Sequence, residues 1–402
     1  MGDRVIPRTL APALQRAAQH YPVVTLTGPR QSGKTTLVRS VFADHGYVSL
    51  ETPDQREYAQ EDPRGFLGQF AGSVVLDEAQ RAPDLFSYIQ TLVDAEDRPG
   101  RFVLTGSQNF LLLRSVSQSL AGRCAVLHLL PFALSELARR APLPIADLGR
   151  QVPPAERVFA GHWTAAAFRG FYPRIHDRDL DPTDWLANYY RTYVERDVRD
   201  IVNVADLEAF GRFVRLAAGR NGQLLNLSSL ANDCGVTHTT ARRWVSILET
   251  SFLVVLLRPH HRNFSKRLIK SPKLYFLDTG LLCYLLRIHS PEELRFHGAR
   301  GGVFESLVVA EFFKNCYHGA LEPNLYFWRD SAGHEVDLLL DRGTEQVPVE
   351  IKSGETVAAD FFAGLEYWRG LAGDPTAPAA LVYGGTQTQA RRGISVVPWQ
   401  AL

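Results

Sequence analysis

Three groups of residues in this 402-residue chain have types and spacings that could do chemistry. The first is Gly28-Pro29-Arg30-Gln31-Ser32-Gly33-Lys34-Thr35-Thr36, which fits G-x-x-x-x-G-K-[ST]. Such a loop cradles phosphates: its glycines admit close backbone approach, and its amides and the following helix dipole face the anion. Lys34 would reach the β- and γ-phosphates of ATP, and the Thr35 hydroxyl would ligate Mg²⁺. The second group is Asp77-Glu78, closing the apolar run Ser73-Val74-Val75-Leu76. Asp77 would hold the metal and Glu78 would activate the attacking water. The third lies near the C-terminus: Glu305, Asp337, Glu350 and Lys352. Three carboxylates and a lysine about one point can hold Mg²⁺, on Asp337 and Glu350, and activate water for phosphodiester cleavage.

The elements that must position these groups are legible in outline. Residues 21–27 are rich in β-branched types and read as a strand, and residues 37–42 have helical spacing, so the loop sits at a strand-to-helix turn. An amphipathic helix over 8–20 leads into that strand. Residues 47–50, 73–77, 101–106 and 125–130 read as further strands, with mostly polar helix and loop over 53–70. In a parallel sheet the carboxyl ends of strands converge on the ligand crevice. There Ser107 is the favoured γ-phosphate sensor, with Thr105 and Gln108 as alternatives. Arg123, before the last strand, is either an arginine finger or a surface arginine.

These pieces resemble the AAA-type ATPases of the bacterial and archaeal group that carry a C-terminal domain of unknown function. The residues that carry the likeness are 26–36, Val75-Leu76-Asp77-Glu78-Ala79-Gln80, Leu104-Thr105-Gly106-Ser107 and Leu120-Ala121-Gly122-Arg123. The family also has a charged segment like Tyr193-Val194-Glu195-Arg196-Asp197. Here that segment falls in a helix expected over 184–202, capped by Thr183 or Asp184. Its i,i+4 pairs, Glu195 with Arg199 and Arg196 with Asp200, suit a solvated face. A subunit interface presenting Arg196 or Arg199 to a neighbour's nucleotide is the other reading.

A helix over 133–140 and the prolines at 142, 144, 153 and 154 place a boundary near residue 155. Residues 226–248 read as a helix-turn-helix. Gly235 makes its turn, and the second helix exposes His238, Thr239, Arg242 and Arg243, which suit a DNA groove. Residues 252–257 and 273–277 look like the strands of a wing. Between them, 258–273 holds six lysines and arginines and no acid, as a phosphate-binding loop would. A packing module without DNA contact is the alternative. Asp278 reads as a helix cap.

In the last third, residues 302–313 read as a buried helix with Glu305 near its start. Residues 325–329 and 335–340 form a hairpin about the turn at 330–333, and 347–353 make a third strand. Alternation puts Glu350 and Lys352 on one face of that strand, beside Asp337. An acid, a gap, then acid-x-Lys resembles the restriction-endonuclease-like nuclease core. A helix over 361–371 and strands at 381–385 and 394–398 complete the region.

The expected architecture is α/β. A P-loop NTPase with a parallel sheet (1–155) is followed by a helical and winged-helix region (156–290) and a restriction-endonuclease-like α/β domain (291–402). Net charge is +1, so any nucleic-acid surface must be local. The four cysteines are far apart, which speaks for reduced thiols in a cytoplasm and against a zinc site. No secretory signal is expected, and the longest apolar run is too short to cross a bilayer. The expected function is an ATP-hydrolysing protein acting on DNA, with Mg²⁺ as cofactor and nuclease-like chemistry at the C-terminus. An ATP-switched regulator that binds DNA or protein without cleaving is the alternative, and homo-oligomerisation is left open. A small-molecule kinase fits less well, since it needs no basic wing.

Overall fold

A computed structural model of the chain describes residues 5–107, 112, 116, 118–150, 159, 161–194, 207–260 and 270–402. The chain divides into two compact units. The first comprises residues 1–132, 250–252 and 316–322; the second comprises 133–249, 253–315 and 323–402.

In the first unit, β1 (Val23–Thr27), β2 (Gly46–Ser49), β3 (Val74–Asp77), β4 (Phe102–Gly106) and β5 (Cys124–His128) form one sheet ordered β2-β3-β4-β1-β5. Every pairing is parallel. Period-two alternation builds a core on each face. Val23, Val74, Leu76, Phe102 and Leu104 pack on one side with helix Leu85–Ala95. Val24, Leu26, Val75 and Val103 pack on the other with helices Ala11–His20 and Lys34–Val41. Each fully buried aliphatic side chain of this kind contributes about 1.5–3 kcal/mol. The double-sided core therefore fixes the strand ends rigidly, and the polar residues just beyond them inherit that rigidity.

In the second unit a mixed eight-stranded sheet adds β6 (Val254–Pro259), β7 (Lys273–Phe276), β8 (Leu325–Arg329), β9 (Glu335–Asp341), β10 (Gln346–Lys352), β11 (Ala380–Tyr383), β12 (Gln389–Arg391) and β13 (Ile394–Pro398). Its order is β12-β13-β11-β10-β9-β8-β6-β7. The strands expected to form a wing, β6 and β7, are an antiparallel hairpin at the edge of this sheet. Arg258 and Pro259 pair in parallel with Tyr326 and Phe327 of β8, which gives the hairpin's open edge a backbone partner. The sheet thus draws strands from both sides of residue 290.

The helix-turn-helix has the expected form. Helix Leu227–Cys234 ends at Gly235, whose φ of 70° is left-handed, and helix His238–Thr250 follows. Leu230, Ala231, Ala241, Val245 and Leu248 are buried, while His238, Thr239, Arg242 and Arg243 are exposed. Three local expectations need correction. The helix expected over 133–140 is one turn, Leu134–Leu137. The long helix starts at Pro182, because the Asp181 side chain, not Thr183 or Asp184, accepts from a backbone amide of its first turn. It runs to Tyr189 and continues as a π-helical turn over Tyr190–Val194. Arg196 and Arg199 lie outside the described residues. Asp278 does cap a helix, accepting from the amides of Leu281 and Phe171 at 2.8 Å each. Among the described residues no helix is long and apolar enough to cross a membrane.

Candidate functional site

The phosphate loop links the carboxyl end of β1 to helix Lys34–Val41. Its conformation accounts for its sequence. Gly28 has φ +151°, and a Cβ there would lie 2.1 Å from the carbonyl oxygen of Leu129. Gly33 and Gln31 both have left-handed φ, 94° and 63°. Only glycine adopts such angles at no cost; Gln31 is held there by its neighbours. Lys34 Nζ donates to the carbonyls of Gly28 and Pro29 at 2.9 and 2.8 Å. Burial is the main influence on Lys34 and lowers its pKa to about 8, opposed by Glu78 and Asp77 and assisted by Arg30. Arg30 stands 3.8 Å from Glu51. Thr36 is exposed on the first turn of the helix.

Asp77 closes β3 and collects three hydroxyls. Thr35 Oγ1 donates to Asp77 Oδ2 at 2.9 Å, Tyr47 OH to the same oxygen at 2.7 Å, and Thr105 Oγ1 to Oδ1. Glu78 follows in a left-handed conformation, φ 56°. A non-glycine residue there stores strain of order 1–3 kcal/mol, and such residues cluster at functional sites. The turn aims Glu78 toward β4. Its Oε2 accepts from Gln80 Nε2 at 2.5 Å and from Ser107 Oγ at 2.9 Å, while its amide donates to Thr105 Oγ1 at 3.4 Å. Ser107 and Thr105 are therefore both in the site; Gln108 lies outside the described residues.

Arg123 is not with them. It precedes β5, and its carbonyl accepts from Val23, at the edge of the sheet opposite the phosphate loop. Its guanidinium grips Asp94 through two bonds, the Nη2 one at 3.0 Å. It belongs to no part of this chain's own nucleotide site.

The residues present fit a triphosphate and Mg²⁺. Ser32 Oγ is buried within the loop without a hydrogen-bond partner, and Lys34 spends its protons on loop carbonyls alone. Residues 28–34 would hold the phosphates, with Thr35 and Asp77 at the metal. The metal would supply charge neutralisation on the β- and γ-phosphates. Sequence reasoning missed Tyr47 as a partner of Asp77. It also missed Gln80 as a partner of Glu78, although Gln80 stands inside the motif that carried the family likeness.

The second unit gathers the other group. Asp337 on β9 and Glu350 on β10 sit where the two strands run antiparallel, with Val349 opposite Leu338. The amide of Ile351 donates to Asp337 Oδ2 at 2.9 Å. Lys352 Nζ lies 2.5 Å from Glu350 Oε1 and 3.6 Å from Asp337. Glu305, from helix Arg300–His318, accepts from Tyr275 OH at 3.1 Å.

Two further charges were not foreseen here. Lys273, expected among the phosphate-binding cations, is buried, pairs with Glu335 and stands 4.0 Å from Asp337. It points inward because β7 alternates, which puts Lys273 and Tyr275 on one face. Glu335 also accepts Arg329 at 3.0 Å. Burial, then Asp337, raises the pKa of both Glu305 and Glu350. Lys352 is raised in turn, the carboxylates of Asp337 and Glu350 outweighing its burial. Glu350 Oε2 is buried with no hydrogen-bond partner, one open position for a cation. Among the described residues, however, no three His, Cys, Asp or Glu side chains form a ready metal cage.

The parallel sheet, the phosphate loop and the Asp77–Glu78 pair define the class: a P-loop NTPase of the AAA type. Residues 20–138 match an AAA domain, residues 161–292 a domain of unknown function (DUF8612), and residues 300–402 another (DUF4143). The chain belongs to the family of two uncharacterized proteins, Rv2008c of Mycobacterium tuberculosis and Mb2031c of Mycobacterium bovis. It is 33% identical to each over 352 residues, covering 87% of this chain and 74% of theirs. Two solved structures resemble its fold. The Walker-type ATPase PABY2304 of Pyrococcus abyssi has 15% identity and a TM-score of 0.46, covering 70% of this chain and 96% of that one. The RuvB Holliday junction branch migration motor of Thermotoga maritima has 19% identity and a TM-score of 0.30, covering 61% and 87%.

Proposed function

We propose that this protein hydrolyses ATP with Mg²⁺ and couples that turnover to action on DNA. The observation that carries the ATPase reading is the convergence of Lys34, Thr35, Asp77, Glu78 and Ser107 at the carboxyl edge of one parallel sheet. Thr35 and Asp77 lie close enough to share a metal. Glu78 is a base held by two donors beside them.

For DNA, the support is a groove of about 950 Å³ in the second unit whose walls include His238, Arg242, Arg258 and Lys270. It lies along the helix-turn-helix, which acts here as the reading head of a winged module. Residues 261–269 of the basic loop lie outside the described residues. Within the expected division at 155 and 290, the last part is a restriction-endonuclease-like domain. There water adds to phosphorus, one P–O ester bond breaks, and the leaving oxygen takes a proton. Asp337 and Glu350 would hold Mg²⁺, and Lys352 would stabilise the developing charge.

A second reading has its own support. Two carboxylates of that cluster are already paired, Glu335 with Lys273 and Glu350 with Lys352, as in a self-contained binding module that regulates without cutting. The test is ATP turnover with and without DNA, beside cleavage assays on plasmid and branched DNA with Mg²⁺. Stimulation by DNA supports the coupling. Cleavage lost in Asp337→Ala and Lys352→Ala supports the nuclease, whereas stimulation without cleavage on any substrate supports the switch. Turnover indifferent to DNA overturns the proposal.

A further inference from the structure

Phe296 ends the short helix Pro291–Phe296 and is 87% exposed, which leaves both faces of its ring open to a stacking partner. Arginines flank it in sequence. Arg295 is half exposed and meets Glu355 at 3.0 Å. Arg300 Nη2 donates to the carbonyl of Ser353 at 2.9 Å, just past Lys352, and its Nε is buried without a partner. The acids nearby are Glu292, Glu293 and Glu355; Glu293 is engaged by the amide of His289 and Glu355 by Arg295 and His162.

Two residues after Phe296 begins the wall of a cleft of about 390 Å³, lined among others by Asn221, Gly222, Gly298, Ala299, Gly302 and Glu305. Asn221 braces it, accepting from the Phe276 amide and Ser306 Oγ and donating to the Gly302 carbonyl. Side chains at the glycines would close it: a Cβ on Gly222 would lie 3.1 Å from Glu305, and one on Gly302 would lie 3.2 Å from the Asn221 carbonyl. So a largely backbone-walled slot reaches Glu305, and in sequence its wall at Gly298 and Ala299 lies between Phe296 and Arg300.

We infer that residues 295–302 form the entrance for a single, unpaired DNA strand, with Phe296 stacking one base and Arg295 and Arg300 meeting the flanking phosphates. This deepens the nuclease-like reading of the Glu305–Asp337–Glu350–Lys352 cluster and rests on it. The chemistry selects the ligand. An exposed ring flanked in sequence by arginines stacks on any base that is free of its complement, and sequence does not matter to it. A duplex hides its base faces and is far too broad for the slot. A protein partner would need a contiguous apolar patch, and here one ring stands among charged residues.

The test uses the full-length protein in EDTA, so that binding is read without cleavage. A labelled single strand carrying 5-iodouracil is compared with its blunt duplex. The single strand, and not the duplex, is expected to photocrosslink to the tryptic peptide 296–300. Phe296→Ala should abolish that crosslink and weaken strand binding about 5-fold or more, and Phe296→Trp should restore binding. Because the ring is exposed, its removal leaves folding intact. Arg295→Ala and Arg300→Ala should each lower the salt dependence by about one ion. Crosslinks found only elsewhere, or a duplex that crosslinks equally to the same peptide, overturn the inference; the former leaves this face to a protein partner. A Phe296-dependent crosslink without cleavage on any DNA upholds the entrance while the nuclease reading fails. Cleavage that is indifferent to Phe296 does the reverse.

Discussion

Asp77 closes β3 and Asp337 lies within β9, each amid other polar groups, yet they are held by opposite means. Asp77 takes hydrogen bonds from three neutral hydroxyls, those of Thr35, Tyr47 and Thr105. Asp337 stands between two ammonium groups, 3.6 Å from Lys352 and 4.0 Å from Lys273. Neutral donors orient a carboxylate and leave its charge for an incoming cation. Buried Lys273 and partly exposed Lys352 offset part of the negative charge before any cation arrives, which makes burying Asp337 and Glu350 tolerable. The first site therefore depends on its ligand to complete it, while the second already carries part of its counter-charge within the fold.

That contrast can be broken at several points. The largest effect belongs to Lys34→Ala, which should lower ATP turnover about 100-fold or more, read as phosphate release, with nucleotide affinity falling too. Survival of both would remove the nucleotide site altogether. Glu78→Gln should lower turnover about 100-fold and leave ATP binding intact, a split that separates base from binder in one filter-binding and turnover comparison. Tyr47→Phe removes one hydroxyl from Asp77 and should raise the Mg²⁺ needed for half-maximal turnover about 10-fold, with little change in thermal midpoint. An unchanged Mg²⁺ requirement would make that hydroxyl irrelevant to the metal.

The smaller effects concern pH. Glu305 and Glu350 are raised to about 7 and about 8 from an ordinary 4.5. The folded chain thus binds their protons more tightly than the unfolded one. The stability they contribute is complete below about pH 4.5 and is lost as pH climbs through 7 to 8. Glu350→Gln should flatten the fall in thermal midpoint between pH 5 and pH 8. Equal slopes in mutant and parent would refute the account. At the other site, Lys34 at about 8 should be pulled upward by the phosphates. ATP binding should then take up a proton above pH 8 and weaken as pH rises, measurable by calorimetry in buffers of different ionisation enthalpy.

The nucleotide site was largely legible because it is local. Residues 28–36 are contiguous and depend on turn geometry that glycines announce, and Asp77 and Glu78 are adjacent at the end of an apolar strand. Only their hydroxyl and amide partners, Tyr47 and Gln80, escaped, since a tyrosine on a neighbouring strand carries no spacing signal. The helix-turn-helix was legible for the same reason: Gly235 and a 3.6-residue period suffice. The carboxylate cluster was half legible. Glu350 and Lys352 share a strand face by alternation alone, but Lys273 read as a surface cation because its neighbours in sequence are basic.

What the sequence determined by itself is whatever neighbouring residues decide: the phosphate loop, the strand that ends in Asp77-Glu78, the helix-turn-helix, the hairpin bearing Asp337. The tertiary structure alone decided that Lys273 turns inward toward Glu335 and Asp337, that Arg123 is tied to Asp94 away from the nucleotide loop, and that the β6–β7 hairpin also joins a larger sheet. Those outcomes follow from strand pairing and burial, which join residues far apart in the chain. A charge buried by such pairing must find its opposite wherever the fold supplies one.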